Sequence, residues 1–203
     1  MKRMDKKRED PGFPEGEAGR QMLDRMNKSH APLRDWGFPH EKWPDGMHIL
    51  DAGCGGGAAI HELLTYSKGS IVEGIDYAEE SVNQAKKYNQ EELGKRVFIR
   101  QGDVGDLPYE DETFDAITAV ETVYFWPDLL KAMKEMHRVL KKGGFFMILC
   151  EGSDPDHNDW PEIPTPMRIY RPEELVTYLS QAGFQSASYD KGPGQYICVV
   201  GHK

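Results

Sequence analysis

The stretch that most narrows the possible folds is "MHILDAGCGGGAAIHELL", residues 47–64. An apolar run breaks into glycine and passes at once into helix-forming residues. Gly53-Cys54-Gly55-Gly56-Gly57-Ala58 satisfies the dinucleotide pattern G-x-G-x-x-G/A, in which a strand turns tightly into a helix whose N-terminus meets a cofactor. Four small residues in a row equally describe a plain tight turn, so the flanking sequence has to decide what the loop holds.

Downstream, apolar runs alternate with amphipathic ones, the mark of a parallel sheet flanked by helices. "MHILD", "SIVEGID", "RVFIRQGD", "FDAITAV" and "GFFMILCEG" read as five strands. The helix after the glycines carries Ile60, Leu63 and Leu64 on one side, and "AEESVNQAKKYNQ" carries Val82 and Ala85 at helical spacing. "PDLLKAMKEMHRVLKKGG" places Leu129, Met133, Met136 and Leu140 at i, i+4, i+7 and i+11, with a basic C-terminal end and Gly143 as its stop. "RPEELVTYLSQAGF" is a helix with Pro172 near its start and Gly183 at its end. "QSASYD" and "QYICVVGHK" are joined by "KGPG", too short for a parallel crossover, so they form an antiparallel hairpin. The expected fold is α/β: a doubly wound, seven-stranded, mostly parallel sheet closed by a C-terminal antiparallel hairpin.

The 203 residues suit one domain. Residues 1–15, charged and rich in Pro and Gly, are expected to be a disordered tail too polar to pack, and residues 16–203 the domain. A net charge of −9 disfavours nucleic acid as a partner, and no apolar run approaches the roughly 20 residues of a membrane helix, so no membrane partner is expected. Three cysteines without metal-like spacing fit a reducing, cytoplasmic setting. The seven histidines are equally scattered, and no metal site is expected.

Polar residues closing the strands are the informative ones, because open α/β sheets bind ligands there. Asp76 follows Gly53 by 23 positions, the distance at which a carboxylate grips an adenine nucleoside's ribose. Asp51 faces the glycine loop, where a dinucleotide would put its pyrophosphate, so a cationic adenosine cofactor fits better. S-adenosylmethionine, with its sulfonium and ammonium, meets that description. "ILDAGCGGG", "VEGIDYAEESV", "QGDVGDLPYEDETFD" and "VLKKGGFF", in this order, resemble the ordered motifs of class I S-adenosylmethionine-dependent methyltransferases, from about Met47 to the C-terminus. The resemblance implies a Rossmann-like core over 47–203, with 16–46 as an N-terminal helical lid. It further implies that Asp51, Gly53, Gly55 and Gly57 surround the methionyl part, with Asp76 at the ribose and Tyr77 on the adenine face. Asp103 and Val104 would meet the adenine edge, and Val120 completes the cofactor set.

The acceptor is expected beyond the fourth strand, in "VETVYFWPD". Glu121 is a candidate general base or ammonium ligand, and Tyr124 and Trp126 are candidate pocket walls or core. Met22, Met26 and His30 share a face of the N-terminal helix, making His30 and Trp36 further candidates, although a lone His on such a face is more often packed. Trp160 and Tyr170 could reach the acceptor from the long proline-rich loop after the fifth strand. The expected activity is methyl transfer to an O, N, S or C nucleophile of a small molecule, by a monomer or homodimer, with S-adenosylhomocysteine as product. The rivals are a methyltransferase for RNA or protein, a nucleotide-binding oxidoreductase, and a catalytically silent cofactor-binding module.

Overall fold

The computed structural model describes residues 10–157, 160 and 162–203. Seven strands form one sheet: β1 (His48–Ala52), β2 (Ile71–Asp76), β3 (Val97–Gln101), β4 (Phe114–Val120), β5 (Leu140–Cys150), β6 (Ser186–Lys191) and β7 (Ile197–His202). Their order is β3-β2-β1-β4-β5-β7-β6. The first five run parallel, while β7 lies antiparallel between β5 and β6, as the short "KGPG" link requires. The chain winds outward from β1 to β3 and then returns to β4 on the other side of β1. That reversal opens a crevice at the C-terminal ends of β1 and β4.

Among the described residues six α-helices cover the sheet: α1 (Gly16–Ser29), α2 (Ala31–Gly37), α3 (Ala58–Tyr66), α4 (Glu79–Tyr88), α5 (Leu129–Val139) and α6 (Pro172–Ala182). Strand side chains alternate between two cores. Ile117, Phe146 and Ile148 meet Met133 and Met136 of α5 and Leu175 and Leu179 of α6 on one face. Ile49, Val72, Met147 and Leu149 meet Leu63 of α3 and Val82 of α4 on the other.

Three expectations change. The basic run read as the end of α5 belongs to β5: the helix stops at Val139, Leu140 is fully buried, and Lys141 pairs with Asp115 of β4 at 2.8 Å. Gly143, in the left-handed region at φ 79°, turns the chain where the β4–β5 register shifts, and so bends a strand instead of ending a helix. The helix carrying Met22, Met26 and His30 is also interrupted, although the His30 N–H still donates to Met26 O. Pro32 cannot donate to a carbonyl in the preceding turn, so α1 ends at Ser29 and α2 restarts with this proline in its first turn, leaving His30 at the joint.

The third change concerns the tail expected over 1–15. Residues 1–9 lie outside the described residues, but 10–15 pack. Asp10 accepts a hydrogen bond from Thr165 Oγ1 at 2.8 Å, Gly12 lies close against Thr165 and Phe125, and the Phe13 ring meets that of Tyr77 at 5.7 Å. Composition missed this strap because its contacts are to residues 64 and more positions away. It joins the 16–46 region, whose two ends behave differently. α1 lies over the sheet's open end, whereas Leu33 and Phe38 are fully buried in the second core. Phe38 meets Trp43 at 5.7 Å and Tyr66 at 5.4 Å, so this end is built into the domain. Phe38→Ala is expected to cost about 3–5 kcal/mol in urea unfolding, the loss for emptying a rigid buried site. A loss below about 1 kcal/mol would mean that this end is a loose cover.

Candidate functional site

The glycine loop between β1 and α3 is fastened to its own sheet. Gly53 and Cys54 both donate their N–H to Ile75 O, at 2.8 and 3.0 Å, and Gly57 donates to Cys54 O at 2.9 Å. Gly55 donates to Asp76 Oδ2 at 2.8 Å. Gly53 has φ 77°, and a Cβ there would stand 2.1 Å from Thr122 Oγ1, so the loop can pass the end of β4 only as glycine. Four of the loop's amides, at Gly53, Cys54, Gly55 and Gly57, are therefore engaged inside the protein.

Above the loop lies a cavity of about 560 Å³, within the range of small-molecule sites. Of the expected cofactor residues, Asp51, Gly53, Gly55, Asp76, Tyr77, Asp103, Val104 and Val120 all line it. Gly57 does not. Its φ of 82° starts α3, where a Cβ would press on Ala85 and Asn89, and Asn89 Nδ2 donates to its carbonyl at 2.9 Å. Gly57 thus serves helix packing, and Gly56 takes its place in the wall.

Asp51 is fully buried and held from behind by Thr118 Oγ1, which donates to Oδ1 at 2.7 Å. Burial raises its carboxyl to about 7, against the opposing hydrogen bond from Thr118. Asp76 is likewise raised by burial. Its Oδ1 accepts from Ala78 N at 3.0 Å, so the residue closes its own turn as well as facing the cavity. Asp103 Oδ1 accepts from Gly105 N at 2.8 Å in a similar turn. Tyr77 remains 65% exposed, with Phe13 as its aromatic neighbour.

The acceptor candidates divide. Glu121, His30 and Trp126 line the cavity. Glu121 is a non-glycine residue in the left-handed region, at φ 57°, and its N–H donates to Leu149 O at 2.9 Å. Its buried Oε1 accepts from Glu151 N and from Tyr124 OH. Burial, with a smaller contribution from Glu151, raises the Glu121 carboxyl to about 8. Burial and the nearby Arg34 lower His30 to about 4, so its imidazole is neutral. Trp126 donates Nε1–H to Thr122 Oγ1 at 3.3 Å.

Tyr124 stands behind Glu121 and outside the lining, its hydroxyl also accepting from Gly152 N at 3.0 Å. Trp160 covers Tyr124 edge-on at 5.2 Å and does not reach the cavity wall. Tyr170 is core, packed on Tyr178 and beneath Arg168. Trp36 packs against His40 and Tyr196 and closes over Gly192 of the hairpin turn. These three aromatic side chains serve the packing around the site.

Residues the sequence did not point to complete the walls. Asn27 Nδ2 donates to Gly56 O at 3.0 Å, tying α1 to the loop. Arg34, nearly fully buried, makes a two-pronged pair with Glu62 of α3, at 2.8 Å on each prong, and donates to Asn27 O. Phe13 and Thr165 close the top beside Phe125, which the aromatic run after the fourth strand already offers as a pocket wall. Glu151, just beyond β5, comes within 3.7 Å of His30 Nε2. Although no spacing suggests it, folding gathers three metal-type donors, His30, Glu121 and Glu151.

Comparison with known proteins agrees with the fold and the motifs. The family described as a methyltransferase domain, Methyltransf_11, matches residues 50–148. The sterol 24-C-methyltransferase of Aspergillus fumigatus is 33% identical over 153 residues, covering 70% of this chain and 40% of that protein. The demethylmenaquinone methyltransferase of Alkalihalophilus pseudofirmus is 37% identical over 129 residues, 62% of this chain and 53% of that protein. The chain thus spans about half, or less, of the curated relatives it matches. A crystal structure of a SAM-dependent methyltransferase from Aquifex aeolicus superposes with a TM-score of 0.74 at 21% identity, over 90% of this chain and 97% of that one, which speaks to the fold alone. Ordered motifs, a seven-stranded sheet closed by an antiparallel hairpin, and these matches together place the chain in the class I S-adenosylmethionine-dependent methyltransferase family.

Proposed function

We propose that this chain transfers the methyl group of S-adenosylmethionine to a small-molecule acceptor, with S-adenosylhomocysteine as product. The observation that carries this reading is the glycine loop's chemistry: its amides at Gly53, Cys54, Gly55 and Gly57 are spent on the protein's own acceptors, while the carboxylates of Asp51 and Asp76 face the same cavity. Such a site repels a pyrophosphate and suits a cation. The residues present fit the cofactor. Asp76 would hold the ribose hydroxyls, Asp51 the cationic methionyl end, Tyr77 with Phe13 the adenine face, and Asp103 with Val104 its edge.

When bound, the cofactor supplies an electrophilic methyl group, and the protein's task is alignment and exclusion of water. α1 and the strap cover the cavity, and Phe125 and Trp126 give it an apolar side next to Glu121. Relatives named for a sterol and for a demethylmenaquinone support an acceptor that is a small molecule with apolar parts. The absence, among the described residues, of a helix long and apolar enough to cross a membrane is compatible with either a dissolved or a membrane-borne acceptor.

Titration calorimetry should show S-adenosylmethionine and S-adenosylhomocysteine binding and NAD not binding. Asp76→Ala should lose on the order of 1–4 kcal/mol of affinity, several-fold to about a thousand-fold. Unchanged affinity would place the ribose elsewhere.

The raised Asp51 carboxyl predicts a proton linkage. In the free protein Asp51 is half protonated near pH 7, and a cationic ligand favours its ionised form, so binding expels a proton below that pH. Affinity should then rise by up to about tenfold per pH unit as pH climbs toward 7, and level off above it. Calorimetry in buffers of different ionisation enthalpy reads the released proton directly, and a buffer-independent enthalpy at pH 6 would refute the linkage.

Removing residues 1–14 should weaken cofactor binding several-fold while leaving the far-ultraviolet circular dichroism unchanged, because the strap covers Tyr77 without entering either core. Full affinity in the shortened chain would show that the strap is an ornament of the surface.

A further inference from the structure

The fold brings one imidazole and two carboxylates to a single point. One donor atom each from His30, Glu121 and Glu151 lies within 4.8 Å of the others, and His30 Nε2 stands 3.7 Å from Glu151 Oε1. They come from three separate places: the joint between α1 and α2, the end of β4 and the end of β5.

Each is aimed by backbone. His30 is pinned at the helix joint, donating its N–H to Met26 O at 3.0 Å and accepting from Arg34 N at 3.1 Å. Glu121 sits in a left-handed conformation that a non-glycine side chain rarely adopts, which turns its carboxylate inward; such strain is characteristic of functional positions. This carboxylate is more than nine-tenths buried, and its hydrogen bonds from Glu151 N and Tyr124 OH both end on Oε1, leaving Oε2 as its unused ligand atom beside the cavity. Glu151 is partly exposed.

We propose that His30, Glu121 and Glu151 hold a divalent transition-metal ion whose remaining coordination positions open onto the cavity and take an oxygen of the methyl acceptor. One nitrogen and two carboxylate oxygens are a donor set for Mn²⁺, Fe²⁺, Co²⁺ or Zn²⁺ in preference to Ca²⁺. Three protein ligands with open positions are the pattern of sites that bind exchangeable groups. Metal–ligand bonds of about 2.0–2.2 Å require neighbouring donors about 3 Å apart, so the cluster closes by a rotation of Glu151 of about 1–2 Å. Tyr124 and the Glu151 amide act as the outer shell that orients Glu121. The acceptor this favours carries an ionisable hydroxyl, alone or beside a second oxygen. That second clause rests on the methyltransferase reading, whereas the metal site does not.

The test is Mn²⁺ titrated into the full chain, with free ion followed by electron paramagnetic resonance and Zn²⁺ as competitor. One ion per chain is expected. Glu151→Gln and His30→Asn should each weaken it by at least about tenfold. His157→Asn, which removes an exposed His–Asp pair elsewhere, should not change it. Glu151→Gln replaces a partly exposed side chain by its isostere, and a thermal melt matching the parent keeps its result interpretable. S-adenosylhomocysteine affinity, measured without metal, is read on the same proteins. A metal that binds, and is lost in the variants, alongside no affinity for S-adenosylhomocysteine would support the site and overturn the methyltransferase reading alone. No binding below about 1 mM, or binding indifferent to both replacements, would overturn the site.

Discussion

The hydrogen bond from Gly55 N–H to Asp76 Oδ2 sets the character of everything around it. It links the ends of two adjacent parallel strands and, together with the two bonds from Gly53 and Cys54 to Ile75 O, bends the glycine loop back against its own sheet. A helix N-terminus with free amides attracts anions. Here Gly53, Cys54, Gly55 and Gly57 spend their amides on the protein's own acceptors while Asp51 and Asp76 line the cavity, so this part of the glycine pattern offers less to a phosphate than the same pattern does elsewhere. The close pass of Gly53 by Thr122 then brings the end of β4, and Glu121 with it, to the rim of the same cavity.

Much of this is written in the sequence. Continuous apolar runs located the inner strands β1, β4, β5 and β7, because a strand buried on both faces must be apolar throughout, and the four-residue link left only an antiparallel closure. Asp51, Asp76, Asp103 and Glu121 all line the cavity, as one rule leads one to expect: polar residues closing parallel strands gather at the crevice of an open sheet. The rule works because the sheet aligns those ends whatever lies between them.

Other parts are illegible for a reason that is equally physical. Lys141 and Lys142 suit a helix end as well as a strand, and only the Asp115 carboxylate on a neighbouring strand decides for Lys141. Trp36, Trp160 and Tyr170 are of the residue types that line pockets and of those that fill cores, and their place depended on partners such as Tyr196, Tyr124 and Tyr178. The strap and the His30–Glu121–Glu151 cluster bridge gaps of 30 to more than 150 positions. Spacing carries information only within an element, so convergence of this kind leaves no periodic trace.

The paired prongs between Arg34 and Glu62 have a consequence for traffic. They lock α2 to α3, and parting them would strand a nearly buried guanidinium without its counter-charge, a cost of several kcal/mol. On the opposite side the cover is fastened by the Asp10–Thr165 hydrogen bond and by an aromatic contact on a mostly exposed tyrosine. One wall is therefore a hinge post and the other a latch. Opening on the latch side would break a single side-chain hydrogen bond and a half-exposed ring contact, whereas opening on the other would strand a buried charge.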